Sequence, residues 1–254
     1  SHAANLSLYS RLNYHPVRDF APISQVVAIH TFLVTHPSLP VKSVRELVAL
    51  AKANPGSLNY ASGGNGSSPH MAMELFKSLA KVDLLHVPYK GTQSVIGILR
   101  GEAAMLFENL ISVGAHVQSG KLRVLAVGAS RRSSALPEVP TVAEAGVPGY
   151  DVVIWFGMLA PAGTPAAAVN AIHRETSNIL KLPDVKARLA SQAAEPVGSS
   201  PEQFDAFIKS EIAKWVKLIK AADIGNDPDR QRLLLDLVLE VVRVVLHPLA
   251  AAQH

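Results

Sequence analysis

Short β-branched runs alternate with longer windows of helical periodicity through most of this chain, and that alternation narrows the fold more than any other feature. Strand-like runs fall at 23–35, 58–61, 83–87, 103–108, 122–127 and 152–160. Helical windows fall at 41–53, 67–81, 91–100, 165–181, 183–192 and 201–222. Ser43 stands where the first helix needs an N-cap, and Asn54-Pro55-Gly56 closes it. The last three windows each open on proline, whose missing N–H is harmless in a first helical turn. Between Val127 and the strand at 152–160 runs a Pro-, Gly- and Ser-rich crossing with one short helix expected at 141–145. The pattern predicts an α/β fold with βαβ units and a mainly parallel sheet. The two long strands, 23–35 and the stretch around 122–129, bracket the βα repeats, which suggests one lobe inserted into another with those strands as the hinge.

Length and charge then limit the function. A chain of 254 residues can bury a full core in one large or two modest domains. A net charge of +4 makes the surface mildly attractive to anions, but the lysines and arginines are dispersed and not interleaved with aromatics. That favours a small anionic ligand over nucleic acid. The absence of cysteine removes disulfides, thiolate catalysis and cysteine-type zinc sites. No uninterrupted apolar run has the length of a membrane span, and SHAANLSLYSR lacks the basic-then-apolar layout of a signal peptide. Export would have to be directed by residues other than these.

The segment ASGGNGSSPH, residues 61–70, runs from a strand directly into a helix. Such a loop can aim free backbone N–H groups at one anion, and the helix dipole adds partial positive charge, so a carboxylate or phosphate is stabilised there. A plain capped turn is the alternative. Enzyme motifs fail around it. Gly64-Asn65-Gly66 is followed by Pro69 where a dinucleotide fingerprint wants glycine, Lys90-Gly91-Thr92 has the wrong order for a P-loop, and Ser67 lies in no nucleophile elbow. His70, three residues after Ser67, reads as a capping or packing histidine more readily than as a base. The remaining histidines lack metal-ligand spacing, so no metal is expected. Glu108 and Asn109 stand at a strand end, where α/β sheets present residues to a crevice. Trp155 is read either as a wall of that crevice or as a core aromatic.

Several segments, taken in order, resemble a known family. They are LYSRLNYHPVRDFAPISQV, YASGGNGSSPHMAMELF, HVPYKGTQSVIGILRGEAAMLFENL, GKLRVLAVGASRRSSALPEVPTVAEAGVPGY and WFGMLAPAGTP, followed by AEPVGSSPEQFDAFIKSEIAKWVKLIKAADI. Their order and spacing are similar to those of the Bug-type receptors, the solute-binding proteins of tripartite tricarboxylate transporters, over residues 5–224. The resemblance implies a periplasmic, two-lobed Venus-flytrap receptor without catalysis or cofactor, which captures a small carboxylate and delivers it to a membrane permease. It implies a first lobe of 1–31 with 126–224 and a second lobe of 32–125. It also implies ligand contacts from Ser62, Gly63, Gly64, Gly66, Ser67 and His70 in one loop and from Pro88, Tyr89, Lys90, Gly91 and Thr92 in another, with Asn109 and Trp155 beside them.

Two departures from the family pattern shape further expectations. The family's opening strand and P-G-G loop have no match here, which implies a first lobe without its central strands and an incomplete site. At the other end, residues 225–254 depart from the family. Arg232, Asp236, Glu240, Arg243 and His247 make one polar stripe on a broad apolar helix, read as packing on the first lobe, as a homodimer contact, or as an unrelated tail. A sensory receptor for a histidine kinase, a carboxylate-processing enzyme using His70 or Glu108, and a fragment that binds nothing remain the alternatives to transport.

Overall fold

The computed structural model describes residues 2, 3, 12–191 and 193–221; the expected helical tail lies outside them. One strand organises the rest. β1 (Phe20–Thr35) carries the β-branched run and changes partners part-way along. Up to His30 it pairs with β6 (Val153–Pro161) and, at Val27 to Ile29, with β7 (Ala194–Pro196). From Thr31 onward it pairs with β4 (Met105–Asn109) and β5 (Arg123–Val127). All four pairings are antiparallel. Beyond β4 lie β2 (Asn59–Ser62) and β3 (Leu85–Pro88), giving the order β3-β2-β4-β1-β5. Only β2 with β3 and β2 with β4 run parallel, so the expectation of a mainly parallel sheet is corrected. The reason lies in β1, which threads both sets of strands against their direction, a relation that local periodicity does not encode.

Period-two alternation in β1 and β4 builds two cores on opposite faces of one sheet. Leu33, Met105 and Phe107 face a cluster with Leu47 of α1 (Val44–Ala53) and Met73 and Phe76 of α2 (Ser68–Ala80). Phe32, Val34 and Leu106 face the other way, onto Val95 and Ile98 of α3 (Gln93–Leu99) and Val113 of α4 (Leu110–Gln118). Each such fully buried side chain contributes roughly 1.5–3 kcal/mol. Ser43 caps α1 as expected, its side chain accepting from the Glu46 amide at 3.2 Å. The sequence reading missed α4 because Ile111, Val113, Gly114 and Val117 all disfavour a helix; its signal was Asn109, whose Oδ1 accepts from the Ser112 amide at 3.1 Å. The three-residue β7 was missed as well.

The other half is thinner. Ile23, Ala160 and Val169 form its small core under α5 (Ala166–Ile179), while α6 (Pro183–Ser191) buries none of its residues. α7 (Pro201–Ala221) reaches from one half to the other. Its Phe204 fills the space above Gly157, and its Trp215, Leu218 and Ile219 join the core that holds Leu33. The short helix expected at 141–145 is a single turn, with the Ala145 N–H bonded to the Thr141 carbonyl at 2.9 Å. Thr141 and Glu144 bond each other's amides at 3.0 and 2.9 Å, a capping box that holds the turn without a helix behind it.

Candidate functional site

Because β2, β3 and β4 are mutually parallel through β2, their C-terminal residues Ser62, Pro88 and Asn109 stand at one edge of the sheet. The first turns of α2, α3 and α4 begin there too, the arrangement in which α/β sheets open a crevice. The loops after β2 and β3 touch. The Tyr89 amide donates to the Ser62 carbonyl at 2.9 Å, and a side chain at Gly63 would lie 3.3 Å from the Gly91 carbonyl oxygen. The structure thus brings the two expected loops side by side.

In the first loop, three of the amides that the sequence aims at an anion are bonded within the loop itself. The Gly64 N–H donates to Ser62 Oγ at 3.1 Å, the Ser67 N–H to the Gly64 carbonyl at 3.1 Å, and the Gly66 N–H to His70 Nδ1 at 2.7 Å. Gly66 has φ +62°, a conformation that costs an L-residue about 1–2 kcal/mol. Ser67 occupies the N-cap position of α2, but its side chain makes no capping bond and its buried Oγ has no partner. Ser67 and His70 therefore do not form a nucleophile and base.

Behind this loop lie three residues that the sequence reading did not single out. Tyr60 and His86 are register partners on β2 and β3, and Glu74 lies one turn after His70 on α2. The His86 ring stacks at 4.1 Å on His70 and at 4.8 Å on Tyr60. The Tyr60 hydroxyl donates to Glu74 Oε1 at 2.5 Å, and Lys77 Nζ donates to the same oxygen at 2.7 Å. Burial, reinforced by the Glu74 carboxylate, holds the Tyr60 hydroxyl far above its ordinary pKa. Burial pushes His86 below its ordinary value, since desolvation penalises the imidazolium. The register of β2 on β3 and the packing of α2 against them bring these groups together.

The second loop is open to solvent. Pro88, Lys90, Gly91 and Thr92 are exposed, and Tyr89 is half-buried. The Tyr89 ring lies over Gly97 of α3, where a Cβ would stand 2.3 Å from its Cζ, and its hydroxyl donates to Glu102 at 3.1 Å.

Asn109 is committed to its neighbours. Its Oδ1 caps α4, and its Nδ2 donates to Glu108 Oε1 at 2.7 Å. Burial raises the Glu108 pKa, opposed by the Asn109 N–H that bonds the same carboxylate. Trp155 on β6 sends its indole N–H toward Glu211 of α7 at 3.4 Å, and Trp215 does so at 3.0 Å. Lys214 closes an ion pair on that carboxylate. A cavity of about 50 Å³ lies between these groups and the first loop, with Gly66, Ser68 and Met71 on one wall and Trp155, Glu211 and Trp215 on the other. Trp155 and Gly66 thus face each other across this cavity, while the second loop and Asn109 line no part of it. Glu211, unexpected from sequence, orients both indoles. A larger cavity of about 320 Å³ lies between α4 and the end of α6, walled by Leu110, Ile111, Leu136 and Ala193; it holds none of the expected residues and no charged group.

Among the described residues, no group of three or more histidines and carboxylates is placed to hold a metal, and no helix is long and apolar enough to cross a membrane.

The family model for the tripartite tricarboxylate transporter family receptor matches residues 1–224. The chain belongs to this receptor family. Its members are solute-binding receptors, not catalysts, and the α/β fold is that of periplasmic binding proteins. Protein BugT of Bordetella pertussis is 36% identical over 219 residues, covering 86% of this chain and 67% of BugT. The Rhodopseudomonas palustris receptor Rpa4515, solved with adipate, superposes with a TM-score of 0.77 at 34% identity, covering 87% of this chain and 75% of that one. The receptor MatC (Rpa3494) of the same species, solved with malate, gives 0.72 at 29% identity, covering 86% and 76%. This chain spans about two thirds of the length of most of its curated relatives, 63% of a UPF0065 protein from Pseudomonas sp. strain P51 and 67% of BugT, and 94% of a UPF0065 protein from Pseudomonas knackmussii.

Proposed function

We propose that this chain is a periplasmic receptor that captures a small carboxylate at the shared edge of β2, β3 and β4 and presents it to the permease of a tripartite transporter. The observation that carries the reading is the meeting of the two loops at 62–70 and 88–92, with Trp155 facing the first of them across a cavity. The adipate and malate bound by two solved relatives support a small carboxylic acid as the ligand class. The first turn of α2 lends partial positive charge worth roughly 0.3–1 kcal/mol, and each hydrogen bond to a charged acceptor adds about 1.5–3 kcal/mol. Three or four such terms reach the −8 kcal/mol or so of a micromolar ligand after ordering costs. Lys90, exposed in the second loop, is the residue we assign to a second carboxylate.

The lobe division we infer is 1–31 with 126–224 against 32–125. The exchange of β1 partners between His30 and Thr31 supports it. Closure of the two lobes on the ligand would be the signal read by the permease. We leave the tail, 225–254, as a candidate homodimer contact.

Thermal unfolding in the presence of adipate, malate, succinate, citrate or glutamate tests the reading. A micromolar ligand at millimolar concentration stabilises by about 4 kcal/mol, so the melting temperature should rise by several degrees with at least one of them. A melting curve unmoved by the whole set overturns the carboxylate reading.

A further inference from the structure

The rings behind the first loop do more than fill space, because the loop's own bonds depend on their protonation. His70, Tyr60 and His86 lie with their planes within 15° of parallel. At one end of the group Glu74 Oε1 accepts from Tyr60 and Lys77, and His70 Nε2 stands 4.0 Å from the same oxygen. At the other end the imidazoles hold the loop. His70 Nδ1 accepts the Gly66 N–H at 2.7 Å, and His86 Nε2 lies 2.6 Å from Ser62 Oγ, which accepts the Gly64 N–H.

An imidazole nitrogen accepts a hydrogen bond only while it keeps its lone pair. A proton on His70 Nδ1 therefore sets an N–H against the Gly66 N–H and breaks that anchor. With both rings charged, two cations would face each other at 4.1 Å. Glu74 favours a charged His86, and Lys77 opposes it. Glu74, the carboxylate beside the rings, already serves Tyr60 and Lys77, and Lys77 is itself a cation. On α7, Glu211 and Lys214 are paired with each other. β4 brings Met105 and Phe107 to this core.

We propose that neutral His70, with His86 stacked against it, holds the 62–70 loop in the shape that receives a carboxylate, and that acidification releases loop and ligand together. His70 then acts as a positioning residue and not as a ligand contact, and the proposal rests on the receptor reading above. For His86 the sign follows from burial, which lowers its pKa from 6.5. The unfolded chain binds the proton more readily, so the neutral ring's contribution to stability is complete above about pH 6.5 and lost as pH falls through the folded value.

The test begins without ligand. In the ¹⁵N-labelled protein, exchange of the Gly66 amide and the imidazole resonances of His70 and His86 are followed between pH 8 and 5. Gly66 protection should fall by at least about tenfold in step with an imidazole titration. In His70→Asn, whose Oδ1 accepts the same bond but does not titrate, protection should persist at the acid end. The dissociation constants for adipate and malate should weaken by about threefold or more from pH 7.5 to 5.5 in the native chain and by less in His70→Asn, which meets the same partly protonated acids near pH 5.5 and so isolates the part due to His70. A Gly66 amide indifferent to pH, or one with the same pH response in His70→Asn, overturns the proposal. If that variant does not fold, the native titration decides alone. Failure of both acids to bind at any pH counts against the receptor reading, and the Gly66 amide still decides whether the histidines latch the loop.

Discussion

The loops after β2 and β3 lie in contact, yet one is braced from behind and the other is not. In the 62–70 loop, Gly64, Gly66 and Ser67 bond inward, and Tyr60, His70, His86 and Glu74 fix them from the core side. In the 88–92 loop the Tyr89 ring on Gly97, the Tyr89 amide on the Ser62 carbonyl and the Ser94 hydroxyl on the Gly91 carbonyl are the anchors. Among the described residues no ring stack lies behind them, and Lys90, Gly91 and Thr92 face solvent. On the proposed function, the difference separates two tasks. A braced loop sets geometry in advance, which reduces the ordering cost of binding, while an open loop offers side chains that vary the charge a ligand meets.

Substitutions in the two loops should therefore fail differently. The largest effect belongs to Glu74→Ala, which leaves the Tyr60 hydroxyl without its acceptor and Lys77 without its partner. Stability should fall by about 2–3 kcal/mol, less than for a fully buried pair because Lys77 reaches water, as read by urea unfolding. Gly66→Ala comes next, at about 1–2 kcal/mol for the left-handed conformation, with weakened carboxylate binding as its second readout. Gly97→Ala should displace the Tyr89 ring and break its bond to Glu102, yet change stability by less than about 1 kcal/mol, because alanine favours the helix by about the same amount. Its NMR shifts should be confined to the 88–92 loop; movement of the Gly64 and Gly66 amides would show that the loops are one unit. Smallest in stability is Lys90→Ala, within about 0.5 kcal/mol of the native chain. Dicarboxylate affinity should drop several-fold with monocarboxylate affinity unchanged, and an equal loss for both would remove Lys90 from any role in selecting charge.

Local signals made most elements legible. Ser43 announced α1, the proline-led windows announced α5, α6 and α7, and the 61–70 segment announced a strand running into a helix. What stayed hidden depends on register and distance along the chain. Nothing near His86 says that it will stack between Tyr60 and His70, and nothing near Glu211 says that two indoles will point at it. The antiparallel course of β1 is of the same kind, since a strand's neighbours are not written in its own periodicity. The glycine loop's sequence shows its backbone donors, but which amides are left for a ligand depends on His70 and Ser62, whose bonds only the folded chain reveals.

β1 runs without a break through both sets of partners, and that continuity has a mechanical meaning. A rotation of β6 and β7 against β4 and β5 finds no loosely jointed linker within β1 to absorb it, and so loads the strand as a torsion spring. The register irregularities at Pro22–Ser24, Gln25–Val27 and Leu33–Val34 flank the exchange point on both sides and are the places where the ladder is softest. In the lobe closure proposed above, elastic energy stored in β1 would return the two halves to their resting angle, adding a recoil to the proposed hinge.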